Sequence, residues 1–333
     1  MQDFNQQSLM LFPCIYAMSK RSIRHKLLRT GKKVMDSCLV MQNQPELLSP
    51  YVVIGFRGWL NASEVSTGSI DYLCHKLNAR KFAHIEPRDF YIYQTPSSSP
   101  EQSLRPHARI EEGVIKRLEV PQNEFFFWKS GASHDLILFS GVEPNLQWPE
   151  YAQAILDLTR RFQATRIYAL GGVFDQVPHT RETRFFAVVS HPRLKDEIKT
   201  FAPFLNYEGP CSFTTMLMSL AGEQEIEAAG ITARIPLYIQ DYNSRACYDL
   251  LKNVLTLTRL DIDLSDLKQA GEGLVELMDR NFSQSQIAME QLKKLELMFD
   301  ASLLEEPNQI PGEDYSNLME EMFRIKKEGR KLH

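Results

Sequence analysis

The sequence predicts an α/β fold, a mainly parallel sheet with helices on both faces, followed by a helical C-terminal extension. Three observations predict it. Between Tyr51 and Ile239, short apolar and β-branched runs alternate with segments of helical periodicity, the order that feeds parallel strands. Asp135 to Ser140 is a continuous apolar run, as in a strand covered on both faces. From Asn243 onward, apolar residues recur at helical spacing.

The chain divides by composition into residues 1–47, 48–262 and 263–333. The first part carries an apolar run, Leu9 to Met18, and then a basic stretch from Lys20 to Lys33, with few β-branched residues. It reads as a poorly ordered basic tail. The α/β core follows. Tyr51 to Phe56 is its first strand, ended by Gly58, and Ser63 to Leu77 is the helix it feeds, with Asn61 or Ser63 as the N-cap. Phe82 to Ile85 and Phe90 to Tyr93 read as strands, and the Pro- and Ser-rich segment Thr95 to Pro106 as a loop. Val114 to Leu118 and Phe125 to Trp128 are strands on either side of a turn at Pro121-Gln122-Asn123.

After the buried strand at 135–140 come a helix, Tyr151 to Phe162, and strands at Arg166 to Leu170 and Phe185 to Val189. The first of these strands ends in Gly171-Gly172. Cys211 to Ala229 is apolar enough for a buried helix. Ile231 to Ile239 closes the core, with Pro236 suggesting an edge or irregular position. A helix from Asn243 presents Ala246, Leu250, Leu251, Val254 and Leu255 to the sheet. Leu264 to Phe299 is a second helical run, either a hairpin covering the core or an exposed arm. Residues 301–312 read as a linker, and Tyr315 to Lys327 as a terminal helix.

Composition excludes several classes. Hydrophobic residues make up 43% and charged residues 24% of the 333, so the chain has enough apolar surface for a core. A net charge of -4 lacks the basic excess of a broad nucleic-acid surface. Five scattered cysteines without a Cys-x-x-Cys spacing fit a reducing compartment, and no His or carboxylate spacing suggests a metal site. Leu9 to Met18 is too short to span a bilayer, and its positive charges follow rather than precede it, unlike an export signal. The expectation is a cytoplasmic protein with no cofactor, no metal, no nucleic acid and no membrane partner.

The candidate site residues gather at strand ends. Gly55 and Gly58 permit a tight turn, and Asn61 then opens a helix at the edge where parallel sheets bind ligands. There is no Gly-x-x-x-x-Gly-Lys-Ser/Thr loop and no Gly-x-Gly-x-x-Gly, so the ordinary reading is a turn. Asp175, His179 and Arg181 follow Gly171 and Gly172 on a loop at the same edge. They can supply a base and an anion clamp, or they can form a rigid loop whose charges pair with Glu143 or Glu182. Cys211 lies near a predicted helix start, where a thiolate is favoured, although a buried inert thiol is the plainer reading.

Four segments carry a resemblance. They are Val53-Ile54-Gly55-Phe56-Arg57-Gly58-Trp59-Leu60-Asn61, then Gly141-Val142-Glu143-Pro144-Asn145 with Trp148 and Tyr151. Gly171-Gly172-Val173-Phe174-Asp175 leading to Val177-Pro178-His179-Thr180-Arg181 is the third, and Arg259 to Leu267 the fourth. In this order and at these separations, the chain resembles the bacterial branch of the proteasome assembly chaperone 2 family over about residues 48–267. The resemblance implies a three-layer α/β/α core like that of nucleoside phosphorylases and related hydrolases. It also implies self-association, as a trimer or tetramer, and binding to other protein subunits. The expected function is a protein-binding, chaperone-like or scaffolding role without catalysis. The alternative is a small-molecule hydrolase or transferase using the 171–181 segment.

Overall fold

The computed structural model describes residues 38–87, 89–94 and 104–302. Strand β2 (Tyr51–Arg57) is buried on both faces because its alternate side chains enter two different apolar layers: Val53 one, Val52, Ile54 and Phe56 the other. Around it lie β1 (Leu39–Met41), β3 (Arg80–Ile85), β6 (Glu124–Trp128), β7 (Leu136–Val142), β8 (Arg166–Asp175), β9 (Phe185–Val189) and β10 (Ala228–Pro236). The order across the sheet is β1-β3-β6-β7-β2-β8-β10-β9. Its centre, β7-β2-β8-β10, is parallel, and β1, β6 and β9 run against their neighbours. The sheet is therefore mixed and mostly parallel.

Helices α1 (Val65–Lys76) and α4 (Ser244–Thr258) cover the face that holds Val53, through Ile70, Leu73, Leu250 and Val254. On the other face, α2 (Trp148–Arg161) and α3 (Phe213–Glu223) add Ile155, Leu158, Phe213 and Leu217. This is the expected three-layer arrangement. Beyond it, α5 (Ser265–Ser283) packs on α4 and α6 (Gln286–Ala301) packs on α5. The 264–299 run is thus a hairpin, broken where Ser285 Oγ accepts the Ala288 amide at 3.3 Å and caps α6. Among the described residues no helix is long and apolar enough to cross a membrane.

Several local expectations fail for identifiable reasons. Phe90 and Tyr91 are buried but form no strand: Phe90 closes a turn, and its carbonyl accepts the amides of Asn145 and Leu146 instead of joining a ladder. The Val114 strand, β5 (Val114–Glu119), does not pair with β6. It pairs with an unforeseen strand, β4 (His107–Glu111), in a separate ribbon turning at Glu112-Gly113. Residues 226–229, expected in a helix with Cys211, instead lead into and begin β10, which lies between β8 and β9 rather than at an edge. Pro236 is tolerated because it is the last residue of β10, beyond the stretch paired with β9.

Strand β8 does not stop at Gly171 and Gly172 but runs on to Asp175. Leu39–Met41 pairs with β3, so the sheet begins inside the segment read as a tail. The basic stretch from Lys20 to Lys33, most of the 301–312 linker and the helix at 315–327 lie outside the described residues.

One contact fixes how closely α1 can lie on β2. A Cβ on Gly55 would stand 2.5 Å from the Ser66 carbonyl oxygen and 2.8 Å from the Ile70 side chain. Gly55→Ala should therefore push α1 off the sheet and cost about 1–3 kcal/mol, the usual range for overpacking. Urea unfolding of the two proteins measures it, and an unchanged midpoint contradicts it.

Candidate functional site

At the carboxyl ends of β2 and β7, the chain is held by one carboxylate. Glu143 Oε2 accepts the Trp59 amide at 2.6 Å and Glu143 Oε1 accepts the Phe213 amide at 2.8 Å. Phe213 is the first residue of α3, so a negative group sits at a helix N-terminus, where the free amides and the helix dipole favour it. Gly58 makes room for this, since any Cβ there would collide with the Glu143 side chain.

Asn61 is the next fixed point. Its Oδ1 accepts the Thr67 amide at 3.0 Å and its Nδ2 donates to Thr67 Oγ1 at 3.1 Å, which serves the first turn of α1 from three residues before Glu64. Ser63 takes no such part. It is buried at φ 50° and donates its hydroxyl to the Ile239 carbonyl. Gly172 donates its amide to the Leu60 carbonyl at 2.9 Å, and the neighbouring Gly171 packs beside Thr232. Gly58, Asn61, Glu143, Gly171 and Gly172 therefore belong to one structure, the crossing of the 58–64 loop over the end of β2 and the middle of β8, whereas Gly55 seats α1.

Asp175, His179 and Arg181 form a second group, and their partners are not those expected. Asp175 pairs with Arg234 on β10. His179 is buried, with 2% of its side chain exposed. Its backbone amide donates to the Tyr238 hydroxyl at 2.8 Å, and its Nδ1 lies 2.7 Å from the same oxygen. Nε2 lies 3.1 Å from Asp279 on α5. A hydroxyl that accepts the amide donates onward to Nδ1, which leaves the proton on Nε2 facing the Asp279 carboxylate. The neutral ring is thus satisfied at both nitrogens. Burial pushes the His179 pKa below its ordinary value, against the opposing pull of Asp279.

Arg181 grips α6. Nε and Nη2 reach the two oxygens of Asp300, each at 2.9 Å, and Nη1 reaches Glu296 at 3.1 Å. The fork of the guanidinium matches the carboxylate edge. The hydrogen bonds that Arg181 donates to Asp300 raise the Arg181 pKa, and the same contact lowers that of Asp300. Thr180 also bonds Glu296, and Arg184 lies 3.7 Å over the Phe299 ring while donating to the Phe299 carbonyl at 3.1 Å. The pairing with Glu143 or Glu182 is overturned: the acids come from α5 and α6.

The cavity left under this clamp measures about 30 Å³ and is lined by Val177, Pro178, His179, Arg234, Asn243 and Leu274 among others. That is room for a water, far below the several hundred cubic ångströms of a ligand pocket. Among the described residues no three His, Cys, Asp or Glu side chains are placed to hold a metal ion. Cys211, expected to be buried, is exposed, and Ser212 is the residue that caps α3.

Similarities to known proteins agree with this architecture. A search of curated proteins finds no match. Among solved structures, a Mycobacterium tuberculosis protein of unknown function superposes with a TM-score of 0.71 at 22% identity, over 81% of this chain and 90% of that one. A proteasome-assembly chaperone homologue from the same organism gives 0.65 at 22% identity, over 73% and 99%. An archaeal proteasome activator from Pyrococcus furiosus gives 0.55 at 21% identity, over 73% and 97%. At these identities the likeness is one of fold. The family is set by the sequence itself, since residues 55–281, from the glycine that seats α1 to the helix that meets His179, match the model of the PAC2 family, and the chain belongs to that family.

Proposed function

We propose that this protein works by binding other protein chains, as a chaperone-like or scaffolding oligomer in the cytoplasm, and not through chemistry at the 171–181 segment. The observation that carries the reading is the occupation of that segment by the C-terminal hairpin. A general base needs a substrate proton within reach, and His179 has both ring nitrogens taken and almost no exposed surface. An anion clamp needs a free guanidinium, and Arg181 already holds two carboxylates.

The same edge of the sheet exposes Trp59, Ile92 and Leu146, apolar side chains of the kind that bury in protein interfaces. Two of the structural neighbours named above, a proteasome-assembly chaperone homologue and a proteasome activator, support a role of this class. Self-association as a trimer or tetramer is part of the proposal. So is the dispensability for folding of the basic N-terminal stretch from Lys20 to Lys33.

Affinity purification of the tagged full chain from its own cells, with cross-linking at Trp59→Cys, tests the reading. A defined protein partner cross-linked at that edge is the expected result. Turnover of a small molecule that disappears in His179→Ala while stability stays unchanged would favour the enzyme instead.

Three further outcomes follow from the clamp. His179→Ala should cost about 1–3 kcal/mol, because Tyr238 and Asp279 lose their buried partner. Arg181→Ala should lower the melting temperature and open residues 265–302 to proteolysis. Acid should act through His179. Its folded-state pKa is depressed, so the folded protein binds fewer protons than the unfolded chain, and the stabilisation is complete above the ordinary value of 6.5 and is lost as pH falls below it. Urea midpoints between pH 5 and 8 should therefore fall on the acid side more steeply for the unmodified protein than for His179→Gln. Parallel curves would contradict this.

A further inference from the structure

The β4–β5 ribbon stands apart from both apolar layers. Every residue of β4 is exposed, and so is β5 as far as Leu118. The bulge after Arg109 keeps Ala108, Ile110, Ile115 and Leu118 on one face, with the paired charges Arg109, Glu111, Arg117 and Glu119 on the other. Ile110, Ile115 and Leu118 are 60%, 66% and 62% exposed, so among the described residues nothing covers the apolar face. Two strands alone are marginal in water, and among the described residues no strand pairs with either outer edge of this ribbon.

The charges say what fits the edge. Within the ribbon Arg109 stands directly opposite Arg117, an unfavourable pairing, and each leans on the glutamate two residues along its own strand at 2.6 Å. Each strand thus reads Arg, apolar residue, Glu. Such a triplet is complementary to itself when run antiparallel. About a two-fold axis at Ile110, Arg109 faces the partner's Glu111, and Glu111 faces the partner's Arg109. In β5 the equivalent triplet is hemmed in by half-buried Glu119 and buried Pro121, where the chain returns to the core sheet. The β4 triplet is open, next to the turn at the ribbon's free end.

We propose that the β4–β5 ribbon is a pairing arm whose occupant is the same ribbon of a second copy of this chain, joined antiparallel along β4 about Ile110. The pairing makes a four-stranded sheet and merges two apolar faces into one. The ribbon leaves the core between the end of β3 and the start of β6, the edge that also exposes Trp59, Ile92 and Leu146, so the merged face has apolar surface to close against. Its own four apolar side chains offer roughly 400 Å², about half of what each partner of a stable interface buries. The arm is therefore one part of a larger contact, and as a two-fold contact it fits the tetramer of the two proposed assemblies and not the trimer.

This inference rests on the self-association reading and is tested separately from it. Sedimentation of the full chain is compared with Arg109→Glu and with Glu111→Arg, each checked for an unchanged circular dichroism spectrum and melting temperature. Either single variant places like charges opposite each other in its own dimer and should need about tenfold higher concentration to associate. An equimolar mixture of the two restores opposite charges in every facing pair and should associate like the unmodified protein, as should the doubly exchanged chain. A strict monomer for the unmodified protein overturns the self-association reading. An oligomer that ignores both single variants, or singles that fail to recover on mixing, overturns the ribbon alone.

Discussion

The hold of Arg181 and His179 on the C-terminal hairpin is the interaction on which the rest of this edge depends. Apolar burial alone gives the hairpin little. The 19 residues of α5 bury only Leu267, Gly271 and Phe282, and the 16 of α6 bury only Ala288, Leu295 and Phe299. Helices that enclose so little apolar surface need another source of definition, and bidentate ion pairs and a satisfied histidine supply geometry as well as energy. At its other end α5 is moored by Asp266, which takes hydrogen bonds from Tyr72 at 2.6 Å and Lys76 at 2.9 Å on α1 and is held down to about 2 by them. The hairpin is thus tied to the core at both ends by polar groups.

The two groups of strand-end residues share one logic. Glu143 joins the loop after β2 to the start of α3, and Asp175 adds its pairing with Arg234 to the ladder between β8 and β10, so each acid ties two elements together. The 58–64 loop and the loop after β10 are then stitched together by Ser63, which donates to the Ile239 carbonyl, and by the Asn243 amide, which donates to the Ser63 carbonyl at 3.0 Å. What looks from the sequence like a ring of chemistry-bearing residues is a ring of fasteners. It frames an exposed apolar rim at Trp59, Ile92 and Leu146.

The central strands were legible in the sequence because burial on both faces leaves an unbroken apolar run, as in Leu136–Val142. Helices α1, α2 and α4 were legible from their apolar spacing. Phe90 and Tyr91 misled because aromatic residues favour strands, while what decides their conformation is Asn145, more than 50 residues away. Strand β4 was missed because its mixed, fully exposed sequence has no core to pattern it.

The site was half legible. Its residues were found, but not its partners: Asp279, Glu296 and Asp300 lie 100 to 119 residues from the side chains they bind, and a polar pair at that range leaves no periodic trace. Hydrogen–deuterium exchange across residues 265–302, in the unmodified protein and in a His179→Ala/Arg181→Ala variant, tests the clamp most directly. The account predicts much faster exchange through α6 and the second half of α5, with β2, β7 and β8 as protected as before. Unchanged exchange in the hairpin would contradict it.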